Sequence, residues 1–173
     1  MLTPLDFVQL RRAIIDRLFA RMNVPQRQAV YHTDGPLLIL AGAGSGKTTV
    51  LVNRIANLIR FGGGYHSEVV PGLSPAQEQK LRDCAAGHVP LDGELVDLLA
   101  VDPCPAWQIL AITFTNKAAG ELKERLCRML GEEGDEVAAG TFHSFCARLL
   151  RREGEKLGYS RHFTIYDTDD SRR

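Results

Sequence analysis

Apolar residues recur along this chain in two rhythms, one helical and one continuous, and their alternation predicts the architecture. Phe7, Leu10, Ile14 and Leu18 follow Thr3-Pro4-Leu5-Asp6, a helix start with Thr as N-cap, Pro at the first helical position and an acid in the first turn. That helix is expected to run to about Ala20–Met22, its apolar stripe serving as a docking face. Asn23-Val24-Pro25-Gln26 offers a second start, with Gln26 at capping-box distance from Asn23. The run Pro36–Ala41 is predicted as a first strand, buried on both faces as a parallel central strand would be. Val50, Leu51, Ile55, Leu58 and Ile59 mark the core face of a helix from Lys47 that ends at Gly62-Gly63-Gly64. Gln108–Thr113 is predicted as a second strand and Ala118–Leu130 as a helix broken by Gly131–Gly134. Val137–Thr141 then reads as a short third strand, His143–Leu157 as a helix, and Phe163–Tyr166 as a candidate fourth strand before the acidic Asp167–Asp170. Strands alternating with helices predict a parallel α/β sheet covered on both sides.

Residues 62–105 interrupt this rhythm. They hold five of the eight prolines and six of the sixteen glycines, with short helices expected at 74–86 and 92–101. They carry seven acids (Glu68, Glu78, Asp83, Asp92, Glu94, Asp97, Asp102) against Lys80 and Arg82, so the formal net charge of zero divides into −5 here and +5 elsewhere. A neutral total therefore does not argue against a polyanionic partner for the rest of the chain. The segment reads as a surface excursion within a single domain spanning 1–173. It is either a solvated insertion, since loops tolerate length at little entropic cost, or a docking surface for a protein partner.

At 173 residues the chain is long enough for one good core. It has no run of the roughly 18 apolar residues that a membrane span needs, and its first ten residues lack a signal-peptide profile. Cys84, Cys104, Cys127 and Cys146 have no C-x-x-C spacing. Reduced thiols and a cytoplasmic location are the expectation.

The chemistry centres on Leu37–Val50, LLILAGAGSGKTTV. An apolar run enters a glycine-rich turn and leaves it through Lys-Thr into an amphipathic helix, the order that builds a phosphate cradle. Ala41 stands at the first glycine position of G-x-x-x-x-G-K-[ST]. Gly42, Ala43, Gly44, Ser45, Gly46 and Thr49 complete the candidate loop with Lys47 and Thr48. Glycines let backbone amides converge on phosphate oxygens. Lys47 supplies a mobile charge for the β and γ phosphates, and the Thr48 hydroxyl is a candidate ligand for Mg²⁺. Gln26 has two readings: its carboxamide caps Asn23, or it faces the adjacent donor and acceptor of an adenine edge.

Both later strands end in polar, aromatic turns, Thr113-Phe114-Thr115-Asn116-Lys117 and Gly140-Thr141-Phe142-His143-Ser144. Ligands of open α/β sheets gather at such ends. Phe114 can stack on a base, and Thr115, Asn116, Thr141 and Ser144 can bond phosphates near helix N-termini. Core filling is the other reading of the phenylalanines, and a helix-start position that of His143.

MNVPQRQAV, AGAGSGKTTVLVNRI, ILAITFTNKAAGELKERL and GTFHSFCARLLR, in that order, resemble the UvrD/Rep/PcrA group of superfamily 1 DNA helicases. The likeness covers residues 22–60 and 107–152, and Tyr166-Asp167 is also familiar. It implies the N-terminal portion of a RecA-like first motor domain with an acidic insertion at 62–105. It makes Gln26 the adenine-reading residue and gives Lys47 and Thr48 catalytic phosphate and Mg²⁺ roles. It places Phe114, Thr115, Asn116, Thr141, Phe142 and His143 on a single-stranded DNA track. ATP and Mg²⁺ are the implied cofactors, with 3′-to-5′ translocation implied by resemblance alone. Thr49 departs from the Arg of many relatives, and nothing matches the family's Asp-Glu motif, so negligible turnover is expected of these residues by themselves. A small P-loop kinase and a non-catalytic module binding nucleotide or DNA are the alternatives.

Overall fold

The computed structural model describes residues 2–42, 44–160 and 163. Its helices are α1 (Pro4–Leu18), α2 (Val24–Tyr31), α3 (Lys47–Arg60), α4 (Pro75–Ala86), α5 (Gly93–Leu99), α6 (Asn116–Leu130), α7 (Glu132–Glu136) and α8 (Phe142–Glu153). Strand β1 (Leu110–Thr113) precedes α6, β2 (Ala138–Thr141) precedes α8, and short 3-10 turns occupy Ala106–Gln108 and Gly154–Leu157. The strands pair in parallel, with Leu110 opposite Ala138 and Thr113 opposite Thr141. A parallel pair needs a long crossover, and α6 and α7 lie within it.

The helix starts follow their capping chemistry. Thr3 with Asp6, Asn23 with Gln26, and Ser74 with Gln77 each form a reciprocal capping box, and each helix has Pro in its first turn. Asp92 caps α5, Thr115 caps α6 and Thr141 caps α8.

Helix α3 separates two apolar clusters. On one side Val52, Ile55, Ala56 and Ile59 meet Leu122 and Leu126 of α6 and Ala111 of β1. On the other, Val50 joins Val30 and Tyr31 of α2, Ile14 and Ile15 of α1, and Leu81, Leu95 and Leu99 of α4 and α5. Segment 62–105 is therefore not the solvated excursion that its charge and glycine content suggested. Its leucines close a core, and its acids are largely engaged locally: Lys80 bridges Asp92 at 2.6 Å and Glu94 at 2.5 Å, and Asp92 accepts the Leu95 amide.

Backbone-to-backbone contact seals the base of that segment. Gly63 donates to Val101 O at 2.9 Å, Val101 to Phe61 O at 3.0 Å and Cys104 to Leu58 O at 2.9 Å. A Cβ on Gly62 or Gly64 would collide with the carbonyls of Val101 and Asp102 or of Leu99. The triple glycine is thus a close-approach site as well as a helix stop.

Four further sequence expectations change. Residues 36–41 are extended but form no strand, with Leu38 82% and Leu40 87% exposed. A strand exists only with a hydrogen-bonded neighbour, and among the described residues none runs beside this segment. The first helix ends at Leu18, before the expected Ala20–Met22. Residues 132–136 form the short α7 where only a break was expected. The expected helix 143–157 is α8 followed by a 3-10 turn, and no residue of α8 is fully buried. Residues 164–166 of the candidate fourth strand, and Asp167–Asp170, lie outside the described residues. All four cysteines are free, and among the described residues no helix is long and apolar enough to cross a membrane.

Candidate phosphate loop and strand-end turns

The loop between residue 41 and α3 is built by two glycine conformations and one uncapped helix. Gly44 and Gly46 have φ of +74° and +81°, the left-handed region that a side chain disfavours. Gly46 is also the N-cap of α3 and supplies no side-chain cap. The first amides of a 14-residue helix therefore point out of its end without a capping oxygen, an arrangement that attracts anions. A Cβ on Gly46 would stand 3.0 Å from Gln26 Nε2, so a side chain here would crowd the end of the Gln26 carboxamide in addition to straining φ.

The loop is closed on itself. Lys47 Nζ donates to Ala41 O at 3.1 Å and to Gly42 O at 2.6 Å. Ser45 Oγ donates to the same Gly42 carbonyl at 2.7 Å. Gln26 reaches in from α2, its Nε2 donating to Ser45 O at 3.0 Å. Its Oε1 accepts from the Asn23 amide at 3.1 Å. The capping reading of Gln26 is thus present in the structure, and the same side chain also touches the loop. A cavity of about 350 Å³ opens between α2 and the loop, lined by Asn23, Gln26, Ala41, Gly42, Ser45 and Lys47 with apolar Ile39, Leu40 and Val50.

Of the loop residues expected from sequence, Gln26, Ala41, Gly42, Ser45 and Lys47 share this cavity. Gly44 and Gly46 do not line it, Thr48 and Thr49 are exposed in the first turn of α3, and Ala43 lies outside the described residues. Thr48 is the hydroxyl that the sequence assigns to Mg²⁺, and it is exposed in the first turn of α3. Mg²⁺ commonly takes one or two protein groups and completes its shell with water and phosphate oxygens, so a single threonine fits that role. Among the described residues there is no cluster of three or more His, Cys, Asp or Glu able to hold a metal by itself.

Parallel pairing brings the two strand-end turns side by side. Thr113 and Thr141, the last residues of β1 and β2, are register partners, and Thr113 Oγ1 donates to Thr115 O at 3.0 Å. Phe114 is fully exposed and Phe142 is 60% exposed, so neither ring fills a core among the described residues. Phe142 and His143 sit edge to face, 6.4 Å between centroids. The threonines are already employed: Thr115 Oγ1 accepts the Ala118 amide at 3.1 Å, and Thr141 Oγ1 the Ser144 amide at 3.2 Å. Each hydroxyl keeps its proton for donation elsewhere, while Asn116 and His143 are exposed.

Sequence reasoning passed over the neighbourhood behind α2. Tyr31, the last residue of α2, donates to Asp16 Oδ1 at 2.6 Å, and Tyr65 donates to Asp16 Oδ2 at 3.2 Å. The two rings stack at 3.7 Å. Burial pushes both phenols above their ordinary pKa, and Asp16 adds to the rise. A cavity of about 600 Å³ opens beside this group on another face of α2, lined by Asp16, Arg27, Tyr31, His32, Tyr65 and His66. One signal was available: Arg11 sits one turn after Phe7 and before Ile14, inside the apolar stripe of α1, where a cation needs buried acceptors.

The family model of the UvrD/REP helicase N-terminal domain matches residues 22–70 and 91–173. The chain is 41% identical over 157 residues to the ATP-dependent DNA helicase PcrA of Bacillus subtilis (strain 168), covering 91% of this chain and 16% of that protein. It is 42% identical over 160 residues to the ATP-dependent DNA helicase UvrD1 of Mycobacterium leprae (strain TN), covering 91% and 15%. A PcrA from Staphylococcus aureus (strain Mu50 / ATCC 700699) is 38% identical over 158 residues. The chain thus spans only 16% or less of the length of the first two of these relatives.

Proposed function

The chain belongs to the UvrD/REP helicase N-terminal domain family, and we propose that it supplies the ATP-binding and single-strand-contacting part of an ATP-dependent DNA helicase with a RecA-like motor. The observation that carries this reading is the shared cavity of Gln26 and Lys47 beside the uncapped start of α3. Lys47 and the α3 amides would hold the phosphates, and Thr48 would hold Mg²⁺, which when bound neutralises phosphate charge. Gln26, with an amide donor and a carbonyl acceptor, matches the N6 and N7 edge of adenine. Single-stranded DNA would cross the paired turns, with bases on Phe114 and Phe142 and phosphates near Thr115, Asn116, Thr141 and His143. Translocation from 3′ to 5′ is carried over from the resemblance.

Hydrolysis needs a positioned water and groups that stabilise transferred charge, and among the described residues no carboxylate lines the cavity. The 173 residues by themselves therefore bind nucleotide with negligible turnover. Titration with ATP in the presence of Mg²⁺ tests this: Lys47→Ala should lower ATP affinity at least tenfold while leaving the fold intact. Unchanged binding in that variant, or DNA-stimulated hydrolysis lost with Lys47, would overturn it.

A further inference from the structure

Two stretches are passed over by the family model, residues 1–21 and 71–90. The first contains α1 and the second contains α4, and the fold packs them against each other. Three arginines of α1 bind the carbonyls of residues 65–85: Arg11 to Ser67 and Val69, Arg12 to Tyr65 at 3.1 Å, and Arg17 to Cys84 and Ala85. The Leu2 amide donates to Glu78 of α4 at 2.8 Å. Helix α1 is thereby anchored along its length, and the face it turns to α2 carries Asp16.

Helix α2 spans eight residues, with Gln26 in its first turn and Tyr31 at its last position. Tyr31 is held from three sides: its hydroxyl on Asp16, its face on Tyr65 and the Phe19 ring edge-on at 5.8 Å. Apolar contacts alone leave a short helix free to rotate and slide by fractions of an ångström. A directed bond from a buried hydroxyl to a carboxylate removes that freedom, because a displaced hydroxyl leaves the carboxylate short of a partner. Gln26 stands about 7.5 Å along the axis from Tyr31 at 1.5 Å per residue, so a shift at one end of α2 is delivered to the other. Hydrogen bonds tolerate only a few tenths of an ångström before weakening.

We infer that Asp16 and Tyr31 are positioning residues for base recognition: α1, anchored on α4, sets the pose of α2 and so the reach of the Gln26 carboxamide. This rests on the reading of Gln26 as the adenine-binding residue. It gives the two stretches outside the family match a task in nucleotide selection.

The test compares affinities of the 173-residue chain for ATP, GTP and inorganic tripolyphosphate with Mg²⁺ present, with folding monitored by circular dichroism. Tyr31→Phe keeps the ring stack and removes the bond; it should weaken ATP about 3- to 10-fold, the range for one lost hydrogen bond, and leave tripolyphosphate within twofold. Asp16→Ala should do the same, and Asp16→Asn, which retains an acceptor for Tyr31, should restore the preference for ATP. Gln26→Ala should lose the preference outright, and adding Tyr31→Phe to it should lower ATP affinity no further. Parallel loss of ATP and tripolyphosphate, unchanged ATP affinity in folded Tyr31→Phe, or additive losses in the double variant would overturn the positioning role alone. If Gln26→Ala itself keeps the preference for ATP, the adenine reading fails and the positioning role falls with it. Should Asp16→Ala not fold, Tyr31→Phe and Asp16→Asn decide the matter.

Discussion

Arg11→Ala should destabilise the chain by about 3 kcal/mol, and the figure follows from opposing effects. Arg11 has no exposed surface. Its guanidinium donates to Val69 O at 3.0 Å and to Ser67 O, and it lies 5.2 Å from the Phe7 ring. Truncation strands two carbonyls, each costing about 1–3 kcal/mol if sealed from water. Val69 is 63% exposed, so solvent can reach the gap and the lower end applies. The vacated volume beside Phe7 adds about 2 kcal/mol. Against these stands the relief of a buried cation. Burial pulls the Arg11 pKa below its ordinary value, with repulsion from Arg12 adding to it, and its Nε has no hydrogen-bond partner among the described residues. That relief is worth about 1 kcal/mol, which leaves the loss dominant. Arg11→Met keeps the stem volume and should cost only about half as much. Urea unfolding followed by circular dichroism measures both. A loss under about 1 kcal/mol in the alanine variant, or equal losses in the two, would refute this accounting.

Phe114→Ala should leave stability within about 0.5 kcal/mol, since the ring is fully exposed, and should weaken single-stranded DNA by about 1–3 kcal/mol if a base stacks there. Fluorescence anisotropy with a labelled oligonucleotide separates the two effects, and binding unchanged by the substitution would remove Phe114 from the track. The Tyr31 phenol is raised by burial first, then by its bond to Asp16, from an ordinary value of 10.0. The folded state thus holds the proton longer than the unfolded chain, so this stabilisation is complete below pH 10 and declines as pH climbs above it. Melting temperatures measured from neutral pH to above pH 10 should therefore fall more steeply for the parent chain than for Tyr31→Phe; parallel curves would contradict the shift.

Helix starts were legible in the sequence because capping is local: Thr3, Asn23, Ser74 and Asp92 each need only a residue three positions away. The pairing of the two aromatic turns was also within reach, since strand-then-helix units in series imply parallel neighbours. What escaped depended on distant partners. Residues 36–41 have the composition of a buried strand, and composition specifies burial but not the neighbour that provides it. The acids of 62–105 looked like a solvated face because the sequence does not reveal that Lys80, Asp92 and Glu94 share one knot. The Asp16–Tyr31–Tyr65 group draws on three elements, with 49 positions between its first and last members, and no short motif encodes it.

Gln26 shows why two readings that compete in the sequence need not compete in the molecule. Its carbonyl oxygen serves the helix cap and its amide serves the loop, so the capping geometry is what aims the other half of the carboxamide at Ser45. In the proposed complex adenine would take over bonds that the Asn23 amide and the Ser45 carbonyl now hold. Phosphate would likewise take Lys47 from the carbonyls of Ala41 and Gly42. Binding is then an exchange of hydrogen bonds, and an exchange yields only the difference between partners. Two charged groups gain most from such a trade, because the ammonium then meets a full opposite charge in place of a carbonyl dipole. In the proposed complex Lys47 would therefore supply affinity, while Gln26, trading one neutral partner for another, would supply discrimination between bases.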